Sequence, residues 1–363
     1  MKKIRVLVVD DSAVIRRLIV DLFSGEPAIE AAGTASNGRA ALEKIPQLNP
    51  DLVTLDVEMP EMDGLETVRA IREKWPHLPV IMFSSLTERG AATTLEALRL
   101  GASDYVAKPS NANGTEGLLE QLRAELIPKI KALCAKSSPE AVAAAPKVAI
   151  RPQLAQRSGS RVRIVAIGIS TGGPSALHSL IPNFPENFPV PIVIVQHMPA
   201  VFTRLLAEQI SKHSALRVHE GAAGTALIPG HAWIAPGGKH MALQRRANAV
   251  QIAINEDPPE NSCRPAVDVL FRSVAECYGR ETLAVIMTGM GKDGAGGCEK
   301  IRGVGGQIIV QDQQSSVVWG MPGSVVEAGL ADQIVALDQL PGEICRRVGL
   351  TIRTKEQVPV SSV

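Results

Sequence analysis

Two stretches of alternating strand-like and helix-like segments, separated by a stretch that could fill no core, constrain this chain more than any other feature. In the first, Ile4 to Val9 is a short β-branched run, and Leu52 to Leu55 and Val80 to Phe83 are two more. Tyr105-Val106-Ala107 is a last short strand. Between them, Ser12 to Phe23 has helical spacing, with Val14, Leu18 and Leu22 on one face. Leu65 to Ile71, Ala92 to Leu100 and Leu118 to Leu133 also read as helices. From Ser137 to Ser160, Ala, Pro, Ser, Gln and Lys dominate, which predicts a flexible linker. The second stretch opens with a strand at Val162 to Ile167. Further strands are expected at Ile192 to Val195, Ala232 to Ile234, Val250 to Ile254, Thr282 to Met287 and Gln307 to Val310. Helices fit at Ser175 to Leu180, Phe202 to Ser211, Ala266 to Tyr278 and Gly294 to Arg302. Strands alternating with helices predict a doubly wound, mostly parallel α/β sheet in each half. Such sheets build their ligand sites from loops at the carboxyl ends of the strands.

At 363 residues the chain has room for two domains. Apolar residues make up 45% and charged residues 21%, so both halves can bury a core. A net charge of +1 and 3% aromatics argue against a nucleic-acid or membrane-surface partner. The apolar run after the basic start stops at Asp10-Asp11, too soon for a signal peptide, and no stretch approaches a spanning helix. A cytoplasmic location without membrane insertion is expected. Five scattered cysteines without a C-x-x-C pair suggest a reducing compartment and no zinc site. Cys263 and Cys298 lie near polar loops, but neither sits in a recognisable nucleophile turn.

The strand ends of the first half carry Asp10 and Asp11, then Asp56, then Ser84 and Ser85, then Lys108. Along one edge of a parallel sheet these converge. Close carboxylates repel unless a cation neutralises them, and an oxygen-only open pocket suits Mg²⁺. Each piece has a plainer use: Asp10-Asp11 as a helix cap, Lys108 as a surface lysine. The run Asp56-Val57-Glu58-Met59-Pro60-Glu61-Met62-Asp63-Gly64 and the run Gly101 to Pro109, however, strongly resemble response-regulator receiver domains. The resemblance implies that Asp56 is the phosphoacceptor. It also implies Mg²⁺ on Asp11, Asp56 and the Glu58 carbonyl, with Asp10 assisting. Ser84 would follow the phosphoryl group, Tyr105 would reorient, and Lys108 would be aimed by a cis bond to Pro109.

In the second half, Gly168-Ile169-Ser170-Thr171-Gly172-Gly173-Pro174 falls between a strand and a helix and matches G-x-S-x-G. Glycine-rich turns of this kind also bind nucleotide phosphates, but Ser175 and Ala176 stand where a third dinucleotide glycine would fall. A nucleotide-binding oxidoreductase and a receiver fused to a non-catalytic binding module are the rival readings. The first lacks an acidic residue at a second strand end, the second a basic helix-turn-helix. A serine nucleophile needs a base. His197 follows a strand directly, in Gln196-His197-Met198-Pro199, whereas His178 lies within a helix and His77, His213 and His219 in polar stretches. His231 and His240 flank the Trp233 strand. The orienting acid is expected to be Asp293, in Thr288-Gly289-Met290-Gly291-Lys292-Asp293-Gly294. Its plainer role is to cap the helix it opens, and Asp257 and Asp268 are alternatives.

With a receiver in front, these three motifs resemble the chemotaxis protein-glutamate methylesterase (CheB) family from the first strand to about Gly349, the linker excepted. Ile169 stands where that family usually carries alanine. The resemblance implies two doubly wound domains: a flavodoxin-like receiver of five parallel strands over residues 1–122 and an α/β/α methylesterase domain over 161–350. Residues 123–160 would be a helix end and linker, and 351–363 a tail. It implies a phosphorylation-activated serine hydrolase with Ser170 as nucleophile, His197 as base, Asp293 as orienting acid, and Thr171 and Met290 at the oxyanion hole. The esterase would need no cofactor. Its substrates would be glutamyl methyl esters, and particular glutamines, on the cytoplasmic part of chemoreceptors. A chemotaxis histidine kinase would be the phosphodonor, and the unphosphorylated receiver would cover the active site.

Overall fold

The computed structural model describes residues 3–108, 114–135, 161–247 and 249–350. The expected linker, the tail and the Lys108–Pro109 bond lie outside the described residues.

The first sheet has five parallel strands in the order β2-β1-β3-β4-β5: β1 (Ile4–Val9), β2 (Ile29–Ala35), β3 (Leu52–Asp56), β4 (Val80–Ser84) and β5 (Asp104–Ala107). Five helices cover it: α1 (Ala13–Ser24), α2 (Gly38–Leu48), α3 (Gly64–Lys74), α4 (Glu88–Arg99) and α5 (Gly114–Ala135). The cap of α1 is Ser12, whose side chain accepts from the Ile15 N–H, so Asp10 and Asp11 are free of that duty. Leu122, Leu126, Ile130 and Leu133 of α5 are buried in the first sheet's core, so a boundary at residue 122 falls inside one helix.

The second sheet has seven parallel strands in the order β14-β13-β12-β6-β7-β9-β8. These are β6 (Ile164–Ile169), β7 (Ile192–Gln196), β8 (Arg217–Glu220), β9 (His231–Ile234), β12 (Thr282–Ile286), β13 (Gln307–Gln311) and β14 (Gln333–Val335). The strand expected at Val250 to Ile254 is not part of it. β11 (Ala249–Asn255) pairs antiparallel with β10 (His240–Arg246) as a separate ribbon. The connection from Arg246 to Ala249 is far too short for the crossover that parallel pairing needs. The helices are α6 (Gly173–Leu180), α7 (Ala200–Lys212), α8 (Val267–Tyr278), α9 (Ala295–Gly303), α10 (Met321–Glu327) and α11 (Leu340–Arg347).

Strand order reverses between β1 and β3 in one sheet and between β6 and β12 in the other. In open parallel sheets that is where the carboxyl-end loops diverge and leave a crevice. Asp10 and Asp56 flank the first reversal; Ser170 and the Met287–Asp293 loop flank the second.

The two sheets are joined through helices. Helix α4 packs on α6 and α7, and a buried apolar cluster runs continuously from Leu95 and Leu98 to Leu177, Phe202 and Leu206. Tyr105 stacks on Phe202 with ring centroids 4.5 Å apart. Ser175 Oγ donates to the Leu98 carbonyl at 2.7 Å, Gln209 Nε2 to Glu96 at 3.2 Å, and Arg204 pairs with Glu88.

Candidate active site and acidic pocket

In the first sheet, Lys108 Nζ lies 2.7 Å from Asp56 Oδ2 and 3.2 Å from Asp10 Oδ2. Asp10, Asp11 and Asp56 each bring a carboxylate oxygen within 4.8 Å of the others. One lysine does not balance this cluster. Burial, reinforced by Asp10, raises the Asp56 carboxyl above its ordinary value despite Lys108. Asp10 Oδ2 is buried and, although near the ammonium, has no hydrogen bond. A hard cation among these oxygens would meet both deficits. The Glu58 N–H points at Asp56 Oδ1 from 3.4 Å. Ser84 is fully buried and receives a 2.7 Å hydrogen bond from Thr94 Oγ1 of α4. Tyr105 is buried against Phe202, and its phenol is pushed well up by that burial.

In the second sheet, Ser170 directly follows β6, His197 follows β7, and Asp293 lies in the loop after β12. His197 Nε2 and Asp293 Oδ2 are 2.8 Å apart. Asp293 does not cap its own helix, as its plainer reading had it, because Gly294 occupies that position without a side-chain bond. It sits instead at the start of α8. Oδ2 accepts from the Val267 N–H at 2.7 Å, and Oδ1 accepts from the Asp268 N–H and from Asn261 Nδ2, each at 3.1 Å. Burial opposes its ionisation, but the His197 bond and these two N–H groups hold its carboxyl below the usual carboxylate value. Burial also works to lower His197. The Asp293 bond, then the Cys263 hydrogen bond, with the Asp293 charge behind them, outweigh it and lift the imidazole to about 9.

The glycines of the serine turn supply its tight bend. The left-handed residue is Gly172 (φ 75°), not Ser170, so the serine itself is unstrained. A side chain on Gly172 would also meet Val317. The Ser170 N–H donates to the Thr288 carbonyl, and Thr288 Oγ1 donates to the Thr171 carbonyl at 2.9 Å, which ties the β6 and β12 loops together. The N–H groups of Thr171 and Met290 find no acceptor among the described residues. Met290 is exposed and Thr171 buried. Ile169 is fully buried in the core beneath α6 and α7, so its bulk goes into packing.

Sequence reasoning missed the surroundings of the imidazole. Cys263 Sγ lies 3.6 Å from His197 Nδ1, on the ring side away from Asp293. Asn261, which holds Asp293, lies on the same loop. Asn261 and Ser262 both have left-handed φ (51° and 62°), and Glu260 and Cys263 clasp the loop with paired backbone bonds. The only sequence cue was the polar run Asn261-Ser262-Cys263.

Two parallel sheets, each with a candidate site at its strand reversal, one acidic and one holding a His197–Asp293 pair beside the Ser170 turn, fit the class of receiver-governed hydrolases. Residues 6–120 match the response regulator receiver domain and residues 165–344 match CheB methylesterase. The chain is 53% identical to the protein-glutamate methylesterase/protein-glutamine glutaminase of Trichodesmium erythraeum, over 96% of this chain and all of that one. It is 49% identical to the enzyme of the same name from Nocardioides, over 96% of each. The crystal structure of the Thermotoga maritima CheB methylesterase catalytic domain superposes with a TM-score of 0.50 at 44% identity, covering 51% of this chain and 98% of that one. The chain belongs to the CheB family of protein-glutamate methylesterases/protein-glutamine glutaminases.

Proposed function

We propose that the chain hydrolyses glutamyl methyl esters on the cytoplasmic part of chemoreceptors, releases methanol, deamidates particular receptor glutamines, and is switched on by phosphorylation of Asp56. The observation that carries the catalytic half is the 2.8 Å His197–Asp293 contact at a strand reversal where Ser170 directly follows β6. Because Asp293 engages Nε2, the ring presents Nδ1 as its basic nitrogen. Ser170 Oγ attacks the ester carbonyl while Nδ1 takes its proton, and the same nitrogen returns the proton to the departing methanol. Water then cleaves the acyl-serine by the reverse path. An amide passes through the same tetrahedral intermediate. The unengaged N–H groups of Thr171 and Met290 are the donors assigned to its oxyanion. No cofactor enters these steps.

On the receiver, Mg²⁺ would be held by Asp11, Asp56 and the Glu58 carbonyl, with Asp10 assisting, and would offset charge as the phosphoryl group arrives. A chemotaxis histidine kinase is the expected donor. Lys108 balances the phosphorylated carboxylate. Ser84, drawn toward the new phosphoryl oxygens, would release Thr94 and shift α4, the helix seated on α6 and α7. Tyr105 would turn away from Phe202 in the same step. The working division is a receiver that ends within α5, a connecting segment, and a catalytic unit over residues 161–350. No helix among the described residues is long and apolar enough to cross a membrane. With a cytoplasmic receptor segment as the proposed substrate, the cytoplasm is the proposed location.

The test is steady-state methanol release from a methylated chemoreceptor, with and without a small phosphodonor and Mg²⁺. No release by the wild-type protein under either condition would remove the esterase reading.

A further inference from the structure

We propose that the pocket beside the catalytic imidazole is an inhibitory zinc site, formed by Cys263 Sγ and His197 Nδ1 and buttressed by Asp293. A zinc ion bonded to one thiolate and one imidazole at ordinary lengths in tetrahedral geometry holds the two ligand atoms about 3.6 Å apart. Cys263 Sγ and His197 Nδ1 are 3.6 Å apart. All three of His197, Cys263 and Asp293 offer ligand atoms within 4.8 Å of one another, but Asp293 Oδ2 is taken up by Nε2. That is the arrangement in which a carboxylate fixes the far nitrogen of a metal-binding histidine and raises the basicity of the near one. Asp293 is therefore the support rather than the third ligand, and water fills the remaining positions.

Both ligands are held in place. Asp293 locks the ring, and the clasped loop with its two left-handed residues locks Cys263. Cys263 and His197 are only part-buried, so an ion can reach them. Binding displaces protons: Zn²⁺ and the Cys263 thiol give a zinc thiolate and one released proton, and below about pH 9 the imidazolium gives up a second proton from Nδ1 to solvent as the metal takes that lone pair. In the mechanism above that lone pair is what accepts the Ser170 proton. Zinc and the serine thus compete for one nitrogen, and an occupied site has no general base. The inhibitory half rests on the proposed reading of Ser170 and His197; the binding half does not.

The test uses the full-length protein. Titration with Co²⁺ should give a thiolate-to-metal charge-transfer band, and competition with a chromophoric chelator should report Zn²⁺ affinity. Cys263→Ser and Cys263→Ala should each lose the band. Asp293→Asn should keep the band but weaken Zn²⁺ binding by about 10–100-fold. Methanol release by the wild type should fall at least about tenfold at saturating Zn²⁺, and recover on chelation, whereas each Cys263 variant, compared with its own metal-free rate, should lose this sensitivity. The exposed pair His219–His231, whose ring nitrogens are 3.0 Å apart, is the rival zinc trap. If Zn²⁺ inhibits the Cys263 variants as strongly as the wild type, or if His219→Ala abolishes the effect, the proposal fails. Absence of a thiolate band in the wild type overturns it as well. A band with no effect on methanol release would keep the metal site and count against Nδ1 as the base.

Discussion

The two strand-reversal sites of this chain solve opposite electrostatic problems. At the first, three carboxylates face one ammonium, Asp56 is pushed toward its neutral form, and a buried Asp10 oxygen lacks a hydrogen bond. At the second, Asp293 is buried but has four donors, and its carboxyl stays ionised. On the proposed function, the first site is finished only by a cation and a phosphoryl group. At the second, the acid of the proposed triad is already fully partnered. A site built to be completed by ligand can act as an input, while a finished one can be controlled from outside by a cover.

The contrast is broken most severely at the nucleophile. Ser170→Ala should lower methanol release by about 10⁴-fold or more and leave Asp56 phosphorylation intact. A variant keeping a tenth of wild-type turnover would falsify the assignment. Asp293→Asn should cost about 10³–10⁴-fold, since the imidazole loses the partner that orients it. A double Ser170→Ala, His197→Ala variant should be no worse than the worse single, because the two act in one step. Loss by the product of the two factors would mean separate roles.

The cover comes next. Removing residues 1–136 should raise basal turnover about 10–100-fold, and Asp56→Asn should hold the full-length chain at its basal rate even with Mg²⁺ and phosphodonor. Equal rates for truncated, unphosphorylated and phosphorylated forms would refute covering while leaving the esterase intact.

The pH profile sharpens the second site. With His197 raised to about 9, kcat/KM should climb about tenfold per pH unit up to about 9 and then level, as the neutral base accumulates. Cys263→Ser removes part of what raises the imidazole, so the limb should move to lower pH. The sign for stability is the reverse. The charged His197–Asp293 pair stabilises the fold below the unfolded histidine value of about 6.5, and that contribution is lost as pH rises through about 9. A flat profile between pH 6 and 9 would contradict the paired imidazole.

The smallest effect is expected at the domain edge. Arg204→Ala removes an ion pair whose side chains are 42% and 75% exposed, worth about 0.2–1 kcal/mol, so basal turnover should rise less than about fivefold. Tyr105 on Phe202 is buried and should matter more. If Arg204→Ala matched deletion of the receiver, the apolar contact would not be what closes the molecule.

The sequence was most legible where strands are fully buried. Ile4–Val9, Leu52–Asp56, Val80–Ser84, Ile192–Gln196 and Thr282–Ile286 read as apolar runs because both faces pack, and the residues just past them announced both sites. Strands without such runs were not placed. β2 reads Ile-Glu-Ala-Ala-Gly-Thr-Ala and β8 reads Arg-Val-His-Glu, edge strands whose exposed positions dilute the signal. β10 was not placed either, and its partner β11, expected at Val250 to Ile254, read as part of the parallel sheet because alternation alone does not reveal direction. Cys263 is 66 residues from His197 in sequence, and its approach depends on a loop with two left-handed residues that no periodicity encodes.

The anchoring of Asp293 has a consequence for how such a protein can decay. Two of its four donors are the opening backbone N–H groups of α8, so the carboxylate proposed to serve the reaction also serves the start of a core helix. The Ser170 side chain makes no hydrogen bond among the described residues, so on the proposed function catalysis alone would retain it. A copy of this gene freed from selection for activity should therefore lose its serine first and keep its aspartate for as long as it must still fold. An aspartate at this position in a related chain would then testify to an intact fold, and only the serine to an intact enzyme.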